Sequence, residues 1–437
     1  MATARLAQEI IDHIIDFLWD DPPSLCKCAL THSSWYNRSR MLLYIRVHIR
    51  DCATFSAFRQ LVLHAPRPRS FFEGHSSLLD LTDGGVRPYV QEIPHLLVSC
   101  RQAIRTIVLR EAHWHEKRSP HSTFFSSLAL LTTITRLELI SCTFGTFREF
   151  QRLLCELPQL TEVSIQDISI KSHSPIPVVP GVRSTGDRLR LHLLHVKGLP
   201  SDEFIELLNW IRSTPSGCDR TIRSLHLNPM LPTTANWHIT AGLLLQALGA
   251  PLTDVAVPVL IGGLSQLYLI FGSNLTWSSI DDDHAGLLSN SSLQSLRLFY
   301  LFVGPWTIAW GHIARTLFSI SSTMIRHLYL DFKVGIDPRY HGIGDMHVQL
   351  TMDWTPLNNI TMLKQFASLT EVVVGMEWHI SEAVTELEVQ DLQNTINGGL
   401  RQLHWNARGI LTIKHEVHTF SDPPSTGPPT DVANAVV

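Results

Sequence analysis

The sequence predicts an α/β repeat fold, in which a small N-terminal helical module is followed by an array of alternating strands and helices. An apolar stripe at helical spacing runs through the first part of the chain, and a short apolar motif then recurs about every thirty residues. The chain of 437 residues is also 44% hydrophobic but only 17% charged. This balance is expected of stacked units, because each unit buries the same positions and leaves few places for charge.

The N-terminal module is predicted over residues 1–50 as three helices. The first helix carries acidic residues on one side and an apolar stripe on the other, formed by Ile10, Ile11, Ile14, Ile15, Phe17 and Leu18. Pro22 follows this helix and marks its end, because proline cannot continue a helix and disfavours helix before it. The second and third helices are expected over about residues 24–33 and 35–44.

The repeat motif is apolar-x-x-apolar-x-apolar, which predicts a short strand with alternate residues buried. It begins at residues 104, 134, 160, 191, 222, 264, 293, 325, 369 and 400. Six of the nine spacings lie between 29 and 32 residues, which indicates one structural unit repeated along the chain. A further match at Leu252, Val255 and Val257 leaves the register between residues 228 and 264 open, and the gap from 331 to 369 is similarly long.

Helical patterns occupy several of the intervals between motifs. Thr146 and Glu149 form a predicted capping box at the start of one such helix, and Gly398 and Gly399 mark the end of another. A strand followed by a helix about every thirty residues predicts a leucine-rich-repeat-like solenoid over 104–418. Residues 51–103 are predicted to be a linker or helical cap, and the proline-rich tail 419–437 to be disordered.

The same register predicts which side chains line the concave face of the sheet, since strand residues alternate between the two faces. Aromatic, histidine and arginine residues cluster on that face in the middle of the array, and such residues often anchor recognition surfaces. The predicted substrate-binding residues are His195, His226, Tyr268, Arg297, Phe299, His327 and Tyr329. The alternative is that these residues are solvent-exposed strand positions that are aromatic by chance and bind no substrate.

The composition and motifs disfavour several classes of function. A net charge of −4 disfavours a broadly basic nucleic-acid binder, and the apolar segments contain too many prolines and glycines for a membrane span. The seven cysteines are scattered, and the N-terminus has no secretory signal, so a cytoplasmic or nuclear location is expected. We find no phosphate-binding loop, nucleophile elbow or zinc-binding spacing, and therefore expect no enzyme activity, cofactor or metal. A hydrolase or metal enzyme within the insertions near 230–262 or 331–368 is the remaining enzymatic alternative.

The N-terminal segment resembles an F-box over about residues 5–45. Leu6, Glu9, Ile10, Ile14 and Leu18 match the family's opening pattern, and the segment from Ala29 to Trp35 is similar to its second conserved stretch. The sequence departs from the family at Ala7 and at residues 31–33. The combination with downstream repeats resembles F-box proteins of fungi.

The resemblance implies an adaptor of an SCF-type ubiquitin ligase, in which the F-box binds a Skp-type linker subunit and through it a cullin. Leu6, Glu9, Ile10, Ile14, Leu18 and Trp35 are then the candidate partner-binding residues. The repeats would bind a protein substrate. Two alternatives remain: a helical cap on the first repeat, which terminal repeats require, and a repeat scaffold with no ubiquitin role.

Overall fold

The computed structural model describes residues 7–64, 77–83, 89–98, 104–114, 120–172, 188–228, 237–260, 290–302, 317–318, 320–336, 357–359, 363–381 and 384–420. The chain divides into two compact units, Met1–Pro251 and Leu252–Val437. Each unit contains parallel strands, and helices connect successive strands in the first unit and the last two strands in the second, so the predicted α/β repeat fold is confirmed at this level.

The first unit begins with three helices, α1 (Gln8–Asp16), α2 (Pro22–Thr31) and α3 (Ser33–Ile45). They pack around a small core of Ile15, Leu25 and Leu42. Helix α2 begins at Pro22, slightly before the predicted start near residue 24, because proline fits the first turn of a helix; the Asp21 side chain accepts a hydrogen bond from the Ser24 amide. The three predicted helices are thus present.

The sheet of the first unit has seven parallel strands in chain order, each paired with its neighbours in register. They are β1 (Arg46–Ile49), β2 (Ser77–Thr82), β3 (Ile104–Arg110), β5 (Arg136–Ile140), β7 (Glu162–Gln166), β9 (Leu193–Lys197) and β10 (Ser224–Asn228). Helices connect them: α4 (Cys52–His64), α5 (Ile93–Leu97), α6 (Ser122–Leu128), α7 (Phe147–Cys155), α8 (Ser201–Ser213), α9 (Pro215–Cys218) and α10 (Trp237–Leu248). Residues Val90–Glu92 form a 3-10 turn before α5.

Burial explains why the motif recurs. In β5, for example, Leu137 and Leu139 are buried beneath the helices, while Arg136 and Glu138 lie on the opposite side of the sheet. We call that opposite side the open face. The predicted capping box is present at α7, where the Thr146 hydroxyl accepts from the Glu149 amide and the Glu149 carboxylate accepts from the Thr146 amide.

A second, three-stranded parallel sheet lies beside the first and consists of β4 (His113–Trp114), β6 (Thr143–Thr146) and β8 (Ser169–Ser172). Between the two sheets, each repeat turns at a residue with a left-handed backbone. These residues are Glu111, Ser141 and Asp167, with φ of 54°, 54° and 52°, and Gly198 takes the same place after β9 with φ of 69°. Their amides donate to the carbonyl that ends the next strand, at 2.8–2.9 Å, so the turn is part of a continuous backbone ladder.

The second unit contains five parallel strands that are longer than those of the first. They are β11 (Asp254–Leu260), β12 (Ser295–Phe302), β13 (His327–Ile336), β14 (Glu371–Ser381) and β15 (Leu411–Phe420). A 3-10 turn (Lys364–Phe366) precedes β14, and helices α11 (Glu386–Leu400) and α12 (His404–Ala407) connect β14 to β15.

The structure corrects three boundaries. The first sheet begins at Arg46 and not at residue 104, because β1 and β2 from the predicted linker region add to its edge. The open register is settled by β11, which contains Val255 and Val257 and pairs directly with β12; the competing match from 264 to 269 lies outside the described residues. The match at 400–405 is not a strand: it spans the end of α11 and α12, and the last strand extends to Phe420 within the predicted tail. Residues 421–437 lie outside the described part.

Candidate interaction surfaces

The N-terminal helices carry an exposed apolar surface. Ile10, Ile14 and Phe17 are 49%, 52% and 71% exposed on one side of α1. Trp19 follows them at 61%, and Leu30 on α2 is 88% exposed. We call these five residues the helix surface. Exposure of these apolar side chains to water does not stabilise the module, which has its own core. The helix surface is therefore suited to binding a partner.

The structure separates the predicted partner-binding residues into two groups. Glu9, Ile10 and Ile14 are exposed, whereas Leu18 and Trp35 pack against the internal core of the module. Leu6 lies outside the described residues. Sequence reasoning missed Trp19 and Leu30, which follow or flank the stripe.

The helices are held together by an ion pair that leaves the helix surface free. Arg38 on α3 donates to the Asp16 carboxylate at 2.7 Å. This hydrogen bond raises the pKa of Arg38, so its guanidinium remains charged. Because Asp16 and Arg38 join α1 to α3, they fix which side of α1 faces inward.

The predicted column of open-face residues is confirmed by the strand register in the first unit. Val108, Glu138, Ser164, His195 and His226 stand side by side on successive strands. The column extends to Asp80 and His48 on β2 and β1, which the sequence did not predict. Val108 is 2% exposed and offers no surface.

Two histidines lie at the end of this column. The His195 ring accepts or donates a hydrogen bond with the Ser164 hydroxyl at 3.1 Å, and its centroid is 5.8 Å from that of His226. Burial, followed by the nearby His226, lowers the pKa of His195, so the ring is neutral near pH 7. His195 therefore presents a neutral hydrogen-bonding group and no positive charge on the open face.

A buried carboxylate organises the first three strands of the open face. Asp80 is 4% exposed; it accepts from Arg110 at 2.8 Å and from Arg46 at 3.1 Å, and His48 lies 3.2 Å away. Burial alone would raise the pKa of Asp80, but the two arginine hydrogen bonds outweigh it and leave the pKa lowered. Asp80 is therefore an ionised group that joins three strands.

The second unit brings three of the predicted residues together. The Arg297 guanidinium lies 4.8 Å from the ring centroid of Tyr329 and 5.9 Å from that of Phe299. It also bonds Asp331 at 2.9 Å, while the Tyr329 hydroxyl donates to Glu371 at 2.8 Å. That hydrogen bond is the main cause of the raised pKa of Tyr329, and burial raises the pKa of Asp331 despite Arg297.

The remaining members of the predicted set have different outcomes. His327 is half-buried and pairs in register with Ser295 and Glu371 on the neighbouring strands. Tyr268 lies outside the described residues, and Ala256 on β11 pairs with Arg297. Ala256 and Val373 are buried, because short side chains lie below their longer neighbours in this column.

Two further observations concern the described residues as a whole. No three histidine, cysteine, aspartate or glutamate groups in the described part are placed to hold a metal ion. Among the helices that the structure describes, none is both long and apolar enough to cross a membrane.

Comparison with known proteins gives one structural similarity. No family model and no curated protein matches the sequence. The crystal structure of the leucine-rich repeat-containing protein LegL7 from Legionella pneumophila aligns with 81% of this chain and 90% of its own. The sequence identity is 12% and the TM-score 0.33. So weak a similarity has no bearing on function.

Proposed function

We propose that the protein is a non-catalytic substrate-recognition adaptor of an SCF-type ubiquitin ligase. The N-terminal helices bind the Skp-type linker subunit, and through it a cullin, while the open face of the repeats binds a protein substrate. Ubiquitin transfer then depends on the proximity of the bound substrate to an enzyme supplied by the ligase.

The helix surface is the observation that carries this proposal. Its five apolar side chains remain in water although the module has a separate core of Ile15, Leu25 and Leu42. Burying an exposed apolar side chain of this size contributes about 1.5–3 kcal/mol. Several such side chains on α1, on α2 and between these helices are enough to anchor a partner.

Substitutions on the helix surface separate binding from folding. Ile14→Asp and Phe17→Asp are expected to weaken capture of a purified Skp-type linker by about a hundredfold, since each places a charge at the centre of an apolar contact. Both residues are more than half exposed, so the free energy of unfolding should change by less than about 0.5 kcal/mol. Leu387→Asp is the matched control, because Leu387 is 77% exposed on α11, far along the sequence.

Linker capture that is equal for wild type, Ile14→Asp and Phe17→Asp would contradict the adaptor proposal. A purified protein that captures no linker would do the same. In either case the second candidate, a repeat scaffold without a ubiquitin role, is favoured by the arrangement of Arg297, Tyr329 and Phe299. Arg297→Ala should then reduce binding of cellular proteins while leaving the folded state intact.

A further inference from the structure

Strand β15 ends the sheet of the second unit, and its outer edge has no neighbouring strand among the described residues. Side chains are more exposed on this edge strand than on its neighbour. Trp378 on β14 is fully buried, whereas Val417, its register partner on β15, is 46% exposed. A ten-residue strand with an open edge and exposed apolar side chains is a template for another strand.

The backbone pairing with β14 determines which groups of β15 point outward. The Val372 amide donates to the Ile410 carbonyl at 2.8 Å, which sets the parallel ladder. Because alternate residues in such a ladder point their amides and carbonyls to opposite sides, Thr412, Lys414 and Glu416 bond towards β14. The outward groups therefore belong to the odd-numbered residues, which are Leu411, Ile413, His415, Val417 and Thr419.

We propose that β15 is a self-association edge, at which two copies of the chain pair their strands antiparallel about a two-fold axis through His415. In this register the two His415 residues form a hydrogen-bonded backbone pair. Lys414 of each copy then stands opposite Glu416 of the other, and Ile413 opposite Val417. Lys414 and Glu416 form a non-hydrogen-bonded pair, in which the Cα atoms approach to about 4.5 Å and the side chains interact most closely.

Charge selects this register over its neighbours. Moving the axis to Lys414 places two lysines opposite each other, and moving it to Glu416 places two glutamates opposite each other. Registers that pair an odd-numbered residue with an even-numbered one are excluded. In such a register the outward amides and carbonyls of one strand would lie opposite residues whose backbone groups point towards β14, and no hydrogen bonds could form between the copies. The His415 register thus combines a full backbone ladder with two opposite-charge pairs.

The histidine at the axis does not oppose this pairing. The Trp378 indole donates to Nδ1 of His415 at 3.1 Å, and Nε2 of His415 lies 3.0 Å from the Asn397 side-chain oxygen. Both ring nitrogens are engaged within one chain, which fixes a neutral ring protonated on Nε2. Burial also lowers the pKa of His415, so two neutral rings meet at the axis.

Sedimentation equilibrium of the full-length protein tests the proposal. Wild type should dimerise reversibly at micromolar to tens of micromolar concentration, as expected for a small interface. Lys414→Glu and Glu416→Lys should each weaken the dimer by about tenfold or more, because each places like charges opposite one another. Lys364→Glu, an exposed charge reversal in the same unit, is the matched control and should leave the dimer unchanged.

Mixing the two weakened variants gives the decisive result. A Lys414→Glu chain and a Glu416→Lys chain carry complementary edges, so the mixture should form a heterodimer although neither variant forms a homodimer. A wild type that stays monomeric, because residues 421–437 or another protein occupy the edge, overturns the proposal. So does a dimer that survives Lys414→Glu unchanged, or a mixture that fails to associate.

Discussion

Replacing Gly198 by alanine should destabilise the protein for two separable reasons. Gly198 has φ of +69°, a left-handed backbone that costs an ordinary residue about 1–2 kcal/mol. A Cβ at this position would also lie 1.9 Å from Oδ1 of Asp167 and 3.3 Å from its amide nitrogen. The carboxylate must therefore rotate out of its preferred position, which adds roughly 0.5–1.5 kcal/mol. Together these effects predict a loss of about 2–3 kcal/mol in the free energy of unfolding.

Chemical denaturation followed by circular dichroism measures this loss as a lower urea midpoint. Asp167→Ala removes the carboxylate that an added Cβ would contact. In that background, Gly198→Ala should lower the free energy of unfolding only by the cost of the left-handed backbone, about 1–2 kcal/mol. Gly398→Ala is a control that should change the free energy of unfolding in the opposite direction. Gly398 lies within α11 with no atom within 4 Å of an added Cβ, and Gly398→Ala should stabilise the protein by about 0.5–1 kcal/mol.

The reasoning is refuted if Gly198→Ala is as stable as wild type. It is also refuted if both glycine substitutions shift the midpoint in the same direction. Equal costs of Gly198→Ala with and without the Asp167 carboxylate would remove the steric part of the argument and leave only the backbone part.

Two other substitutions test the backbone turn and the buried carboxylate. Ser141→Gly should stabilise the protein by about 0.5–1 kcal/mol, because glycine adopts the φ of 54° without strain; an unchanged urea midpoint would contradict this. Asp80→Asn should cost about 1–3 kcal/mol at pH 7, since it removes charge-assisted hydrogen bonds to Arg110 and Arg46. The folded-state pKa of Asp80 is lowered, so its contribution is present above the unfolded value of about 3.9 and lost as the pH falls through the folded value. Unfolding curves of wild type and Asp80→Asn should therefore converge in acid, and a difference that does not shrink as the pH falls below the unfolded value would contradict the assignment.

The strand positions were predictable because each repeat buries the same apolar pattern. The match at 400–405 failed for a physical reason: residues three apart also share a helix face, so Leu400 and Leu403 fit a buried helix end as well as a strand. The left-handed turn residues were not predictable, since Glu111, Ser141 and Asp167 share no side-chain chemistry. The backbone ladder between repeats sets their conformation.

The helix surface was predicted only in part. The stripe on α1 spans nearly half of the helix circumference, so periodicity alone does not show whether Ile14 or Ile15 faces inward. The position of α3 decides this, through the Asp16–Arg38 pair and the contacts of Ile15 with Leu42. The column of open-face residues could be predicted from the strand register alone. The prediction is correct wherever a match to the repeat motif is a strand in the structure.

One backbone angle in each repeat sets the width of the surface that the sheet presents. In the first unit, β5, β7 and β9 stop after five residues at a left-handed residue, which limits the open face to about 17 Å along the strands. In the second unit, β13 and β14 contain no left-handed residue within their described spans and run for ten and eleven residues, or about 33–36 Å. Measured along the strands, the open face of the second unit is therefore about twice as wide as that of the first.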